Sequence, residues 1–113
     1  MKRIIVTRYG PPEVLRFEEA ETPAPAEGEV LVRVARAGIN FADLLARMGL
    51  YPGAPKPPFV PGYEVAGTVA AVGSGVDGIV VGARVVAGRS FGGYASHVIA
   101  PRATIMRPPD SVS

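Results

Sequence analysis

Only one window of this chain repeats its apolar residues with a helical period. Phe41, Leu44, Leu45 and Met48 fall at i, i+3, i+4 and i+7, one face of a short helix. Elsewhere the apolar residues come in short runs with strand character, cut by glycine and proline. The 113 residues include 14 glycines and 12 prolines, dispersed at turn positions without a collagen period. Short strands joined by many turns satisfy that punctuation better than long helices. The chain therefore reads as a mainly β domain with one short helix near 41–48, forming a small, partly open barrel.

Strands are predicted at 2–7, 14–18, 30–34, 65–72, 79–87 and 94–99. In the third, Val30, Val32 and Val34 share one face and Arg33 takes the other. Asn40 stands where a helix N-cap belongs, with Asp43 three residues on as a variant capping box. Gly49 is placed to close the helix in a left-handed conformation. Phe41 and Leu44 are expected in the core or in the wall of a cleft, with the core favoured. The stretch YPGAPKPPFVPG, residues 51–62, carries five prolines and reads as an extended loop anchored by Tyr51, Phe59 and Val60.

Composition removes several function classes. With no cysteine there are no disulfides and no thiolate metal sites, and the single histidine, His97, cannot build a zinc site alone. No metal is expected, and His97 reads as structural. The N-terminal MKRIIVTRYGPPE has no apolar run long enough for a signal peptide or a membrane span, so a cytoplasmic protein is the expectation. Net charge is +2, yet it is unevenly spread. Residues 13–29 hold six glutamates, while residues 78–109 hold no acid and four arginines. Those arginines are scattered singly, without an aromatic platform, so nucleic acid is not expected as a partner.

The stretch VGSGVDG spells G-x-G-x-x-G at Gly73, Gly75 and Gly78. A dinucleotide-binding loop would need a helix after it and an acid about 20 residues on. The following residues, IVVGARVVAG, are β-branched and interrupted by Gly82, and no acid occurs between Asp77 and Asp110. The stretch reads as a hairpin turn between two strands, with Asp77-Gly78 as its turn signal.

A longer series is more specific. Gly10-Pro11-Pro12-Glu13-Val14-Leu15, Gly38-Ile39-Asn40-Phe41-Ala42-Asp43, Gly49-Leu50-Tyr51-Pro52, Pro61-Gly62-Tyr63-Glu64, Gly67, Val72-Gly73-Ser74-Gly75-Val76 and Gly92-Gly93-Tyr94-Ala95 follow in order along the chain. The series resembles the medium-chain dehydrogenase/reductase superfamily, and within it the zinc-independent quinone oxidoreductase branch of zeta-crystallin and VAT-1. Zinc-dependent members carry a cysteine at the place of Asn40 and a histidine at that of Tyr63. An amide and a phenol replace neither as zinc ligands. Ala83 departs from the family, which often has aspartate there.

The resemblance implies a GroES-like catalytic domain over 1–113, facing a Rossmann domain with NADPH in the cleft between them. The Rossmann domain and the family's C-terminal strands are not in this chain. It implies hydride transfer to a quinone or an α,β-unsaturated carbonyl, a small-molecule substrate and a homodimer formed through the Rossmann domain. An enoyl-thioester substrate, signalled by a basic cleft mouth near Lys56 or Arg89, is one alternative. A non-enzymatic β scaffold or interaction module is another. By the same resemblance Tyr51 is the first choice for proton donor and Asn40 faces the nicotinamide. Each also has a plain structural reading, as loop anchor and as N-cap. Asn40, Phe41, Asp43 and Tyr63 are the candidate cofactor-side residues, Asp43 chiefly by holding the helix start. Glu64 is expected to be structural.

Overall fold

Alternating valines build the main sheet. The structure, a computed structural model, describes residues 1–89 and 91–109. Strands β1 (Lys2–Val6) and β2 (Leu15–Glu19) pair as an antiparallel ribbon. Strands β3 (Glu29–Ala37), β4 (Glu64–Val72), β5 (Arg84–Gly88), β6 (His97–Pro101) and β7 (Ile105–Met106) form a second sheet in the order β6-β3-β4-β5-β7. Every neighbouring pair in it is antiparallel, and the sheet curls into half a barrel. Val30 and Val32, Val65 and Val69, Val85 and Ala87, and Val98 and Ala100 turn to one buried core, two residues apart on β3, β5 and β6 and four apart on β4. The mainly β fold, with one α-helix among the described residues, α1 (Phe41–Arg47), is as the sequence reads. Among the described residues no helix is long and apolar enough to cross a membrane.

Several boundaries differ from the sequence reading. The second strand begins at Leu15, because Pro12–Val14 forms a 3-10 turn closed by Val14 N–H on Pro11 O at 3.0 Å. The third extends beyond 34 to Ala37. The last predicted strand starts at His97, after an irregular stretch in which Ala95 bridges Arg3.

β4 and β5 are antiparallel neighbours, and Gly75 and Gly78 have positive φ, as a turn requires. The connection is not a tight hairpin, however, but the whole of residues 73–83. Gly82, at φ 91°, and the bond from Ala83 N–H to Val80 O at 3.1 Å make a turn of residues predicted as strand. Ile79 drops into the core, whereas Val80 and Val81 point to solvent. The next element after the glycines is the strand β5, not a helix.

The helix also turns a different face inward. Phe41 is 72% exposed, and Leu44 and Met48 are exposed as well. The residues α1 buries are Asp43 and Ala46. The helix is set down by a small second core in which Ala46 meets Val6, Val14 and Phe59. Ala46 is the one residue of α1 in that core. The long apolar side chains lie on the far face.

Close approach of backbones fixes where β3 can bend. Register shifts flank Val32–Val34, where β3 crosses Gly67 of β4. A Cβ built on Gly67 would lie 1.9 Å from Arg33 O, whereas one on Gly88 would meet nothing within 4 Å. Gly67→Ala is therefore expected to cost about 2 kcal/mol or more, because backbone must move. Gly88→Ala should stay within about 0.5 kcal/mol. Urea unfolding of both variants checks the contrast.

Candidate active site

Two tethers hold α1 beside the β1–β2 ribbon. Gly10 N–H donates to Arg47 O at 3.0 Å, and Arg47 Nε donates to Gly10 O at 3.1 Å. Gly49 ends the helix at φ 79°, the left-handed conformation expected of it. With Ala46 pressed into the small core, Asp43 one turn earlier must point inward too.

Asp43 is 4% exposed, and it is the one buried charged or polar side chain among the described core residues. A carboxylate can be buried when its oxygens are fully engaged. Asp43 Oδ2 accepts from Asn40 N–H at 2.9 Å and from the Tyr94 hydroxyl at 3.0 Å. Oδ1 accepts from Gly62 N–H at 3.0 Å. The first contact is the capping-box bond that the Asn40–Asp43 spacing predicts. The other two reach segments distant in the chain. One carboxylate thus ties the helix start to the end of the proline loop and to the approach of β6.

The loop and the segment before β6 run side by side. Arg89 N–H donates to Tyr63 O, Gly92 N–H to Val60 O and Tyr94 N–H to Pro61 O, at 2.7, 2.7 and 2.9 Å. Gly62 sits at φ 108° and packs against Gly93 so closely that a Cβ would lie 2.8 Å from Gly93 Cα. Phe91 is the one non-glycine residue with positive φ among those described, at 70°. Its ring meets Phe59 at 5.8 Å and Tyr63 at 5.0 Å between centroids. Tyr51 stands on the other side of Tyr63, edge-on, at 6.1 Å.

The candidates thus gather around the helix start and the loop end. Asn40 and Gly62-Tyr63 flank the Asp43 carboxylate, and Tyr51, 36% exposed, stands outermost beside Tyr63. Phe41 presents its ring to solvent at the same helix start. Glu64 is exposed, with its side chain across Gly38, and has no part in these contacts. His97 lies on β6, with Nδ1 3.1 Å from Ser96 Oγ. Burial, then Arg33 and the N-terminal ammonium, hold His97 below the usual imidazole pKa. Arg89 spends its guanidinium on the carbonyls of Phe91 and Ile99. Among the described residues no three His, Cys, Asp or Glu side chains gather into a metal-binding group.

Two aromatic residues of the site, Tyr94 and Phe91, were not among the sequence candidates. The motif Gly92-Gly93-Tyr94 was the available signal, since two glycines before a tyrosine announce a close backbone approach. Burial, then the bond to Asp43, raise the Tyr94 phenol well above its usual pKa. Burial, then Tyr51, push Tyr63 up to about 12. Both shifts have the same sign for stability. The protonated phenols contribute fully below the unfolded value near pH 10, and the contribution is lost as pH rises through the folded values. Tyr94→Phe is expected to cost about 1–2 kcal/mol at neutral pH, because the buried carboxylate loses a donor. It should also flatten the fall in stability above about pH 10. Denaturant unfolding of both proteins across that range checks magnitude and sign.

Comparison with known proteins follows the same lines. Residues 26–110 match the alcohol dehydrogenase GroES-like domain. The synaptic vesicle membrane protein VAT-1 homolog-like of Mus musculus is 35% identical over 113 residues, all of this chain and 27% of that protein. A quinone oxidoreductase of Salmonella typhimurium is 44% identical, over 98% of this chain and 34% of its own length. The crystal structure of Escherichia coli quinone oxidoreductase complexed with NADPH superposes on the whole chain with a TM-score of 0.94 at 39% identity. The match covers 35% of that structure's chain. The chain thus spans about a quarter to a third of the length of these relatives.

Proposed function

The chain belongs to the alcohol dehydrogenase GroES-like domain family, and from that premise we propose that it is the substrate-side domain of an NADPH-dependent, zinc-independent reductase of quinones and α,β-unsaturated carbonyls. Residues 1–113 form that domain. A Rossmann domain supplies the rest of the cofactor site, and the complete enzyme is a homodimer. One observation carries the reading. A half-exposed phenol, Tyr51, stands in a single cluster with the helix start that bears Asn40, linked to it through Tyr63 and the Asp43 carboxylate.

The residues present fit one end of the cofactor and not the other. Asn40 offers an amide that can both donate and accept, beside the exposed apolar side chains of Ile39 and Phe41. That suits a nicotinamide carboxamide and ring. The glycines at 73–78 lead into a turn rather than a helix, so no pyrophosphate cradle forms there. When bound, NADPH supplies the hydride.

The chain's own residues then have separate tasks. Asn40 orients the nicotinamide end of the cleft. Tyr51 gives its hydroxyl proton to the reduced substrate as a general acid. Asp43 already accepts three hydrogen bonds and is shut from solvent, so it positions Asn40 and Tyr63 and transfers no proton. The donors themselves support a reading without zinc. An amide and a phenol stand where thiolate and imidazole would be needed.

In the full-length enzyme, Tyr51→Phe is expected to lower turnover of a quinone or enone by roughly 100-fold, the usual weight of a general acid. The KM for NADPH should stay within about twofold, since a contact made only during proton transfer leaves ground-state binding alone. Steady-state kinetics with NADPH check this. Unchanged turnover would remove Tyr51 from the acid's role.

A further inference from the structure

Among the described residues, the Tyr63 hydroxyl is the one buried side-chain polar atom with no hydrogen bond of ordinary geometry. Such an atom costs folding stability and calls for a reason. Its surroundings narrow the possibilities. On one side lies the ring of Phe91, held at φ 70° by the bonds of Arg89 Nε to Phe91 O and of Gly92 N–H to Val60 O. A non-glycine residue in that conformation is strained, and the strain is local to the ring that backs Tyr63. On the other side is Tyr51, whose ring meets Tyr63 edge-on.

Tyr51 and Asp43 are the titratable groups that act on the Tyr63 phenol. Asp43 has its oxygens engaged by Asn40, Gly62 and Tyr94. Tyr51 has the nearer influence, through charge and through an incipient hydrogen bond. The order outward is therefore Phe91, Tyr63, Tyr51 and solvent. The Tyr63 ring, its hydroxyl buried and unpartnered, stands edge-on against the ring of the more exposed Tyr51, 6.1 Å away between centroids.

We propose that Tyr63 is a positioning residue for Tyr51: its hydroxyl, unpartnered in this arrangement, donates a hydrogen bond to Tyr51 Oη as that oxygen gives up its proton. The proposal rests on the reading of Tyr51 as the acid. With NADPH bound, hydride addition at the electrophilic carbon of the substrate would form one C–H bond, and the conjugated π pair would move to the carbonyl oxygen as an enolate or hydroquinone anion. The Tyr51 O–H bond breaks and its proton goes to that pair. Tyr51 is left as a phenolate. Tyr63 keeps its own proton throughout and stabilises the phenolate until water, which reaches half-exposed Tyr51, returns the proton. A phenol pushed up to about 12 remains a donor under all working conditions.

The test has two arms. In the chain itself, with tyrosines labelled at Cζ and followed by NMR, Tyr51→Phe should move the Tyr63 ionisation below about 12 but not to the ordinary phenol value, because burial persists. No movement would overturn the pair, and this arm needs no enzymatic activity. In the full-length enzyme, Tyr63→Phe should lower kcat about tenfold, the weight of one hydrogen bond to an ionised oxygen. The KM for NADPH should be unchanged and the Tm unchanged or raised, since no bond is lost on removing an unpartnered hydroxyl. A kcat within twofold of the parent, or a lowered Tm, would overturn the proposal. Failure of the parent enzyme to reduce any quinone or enone would sink the functional reading while the first arm still decided the pair.

Discussion

The buried carboxylate of Asp43 is the interaction on which the candidate site depends. Its oxygens take donors from three parts of the chain: the helix start at Asn40, the proline loop at Gly62 and the approach to β6 at Tyr94. An ionised group out of water is tolerable only while such donors surround it. The converse matters more for function. Gly62 N–H and the Tyr94 hydroxyl have their partner in that carboxylate, so the loop and the β6 approach are held wherever Asp43 is. The backbone bonds of Arg89, Gly92 and Tyr94 to the loop and the ring contacts of Tyr63 with Phe91 and Tyr51 complete the cluster.

The same arrangement explains why the helix exposes its apolar face. Ala46 and Asp43 face inward because the second core is shallow and the carboxylate has its donors below. Ile39, Phe41, Leu44, Met48, Leu50 and Tyr51 are left on or near the surface. Glycine serves the same end by letting backbones meet. Gly62 against Gly93 and Gly67 against Arg33 bring segments closer than any side chain would allow. The site is therefore built from close backbone contacts and one buried charge, on a β framework whose core lies elsewhere.

Much of this was legible in the residues. The alternation of valines marked the main strands, the Asn40–Asp43 spacing marked the helix start, and the β-branched run after Gly78 ruled out a dinucleotide helix. The inward face of α1 was not legible. Periodicity shows that apolar residues share a face, but not whether anything covers it, and here the covered face is the one with the carboxylate. The start of β5 was hidden for a related reason: Ile79, Val80 and Val81 have strand propensity, yet Gly82 turns them into a bend. The contact between Asp43 and Tyr94 is separated by half the chain and has no local signature. The orphaned hydroxyl of Tyr63 is a property of packing alone.

The central claim, that Asp43 organises the site from both sides, is tested most directly by amide hydrogen exchange at Asn40 and Gly62. The account requires both amides to be protected in the parent chain, and both to lose protection together in Asp43→Ala while β3 and β4 amides in the sheet centre stay slow. A Gly62 amide that remains as protected in the variant as in the parent would contradict it.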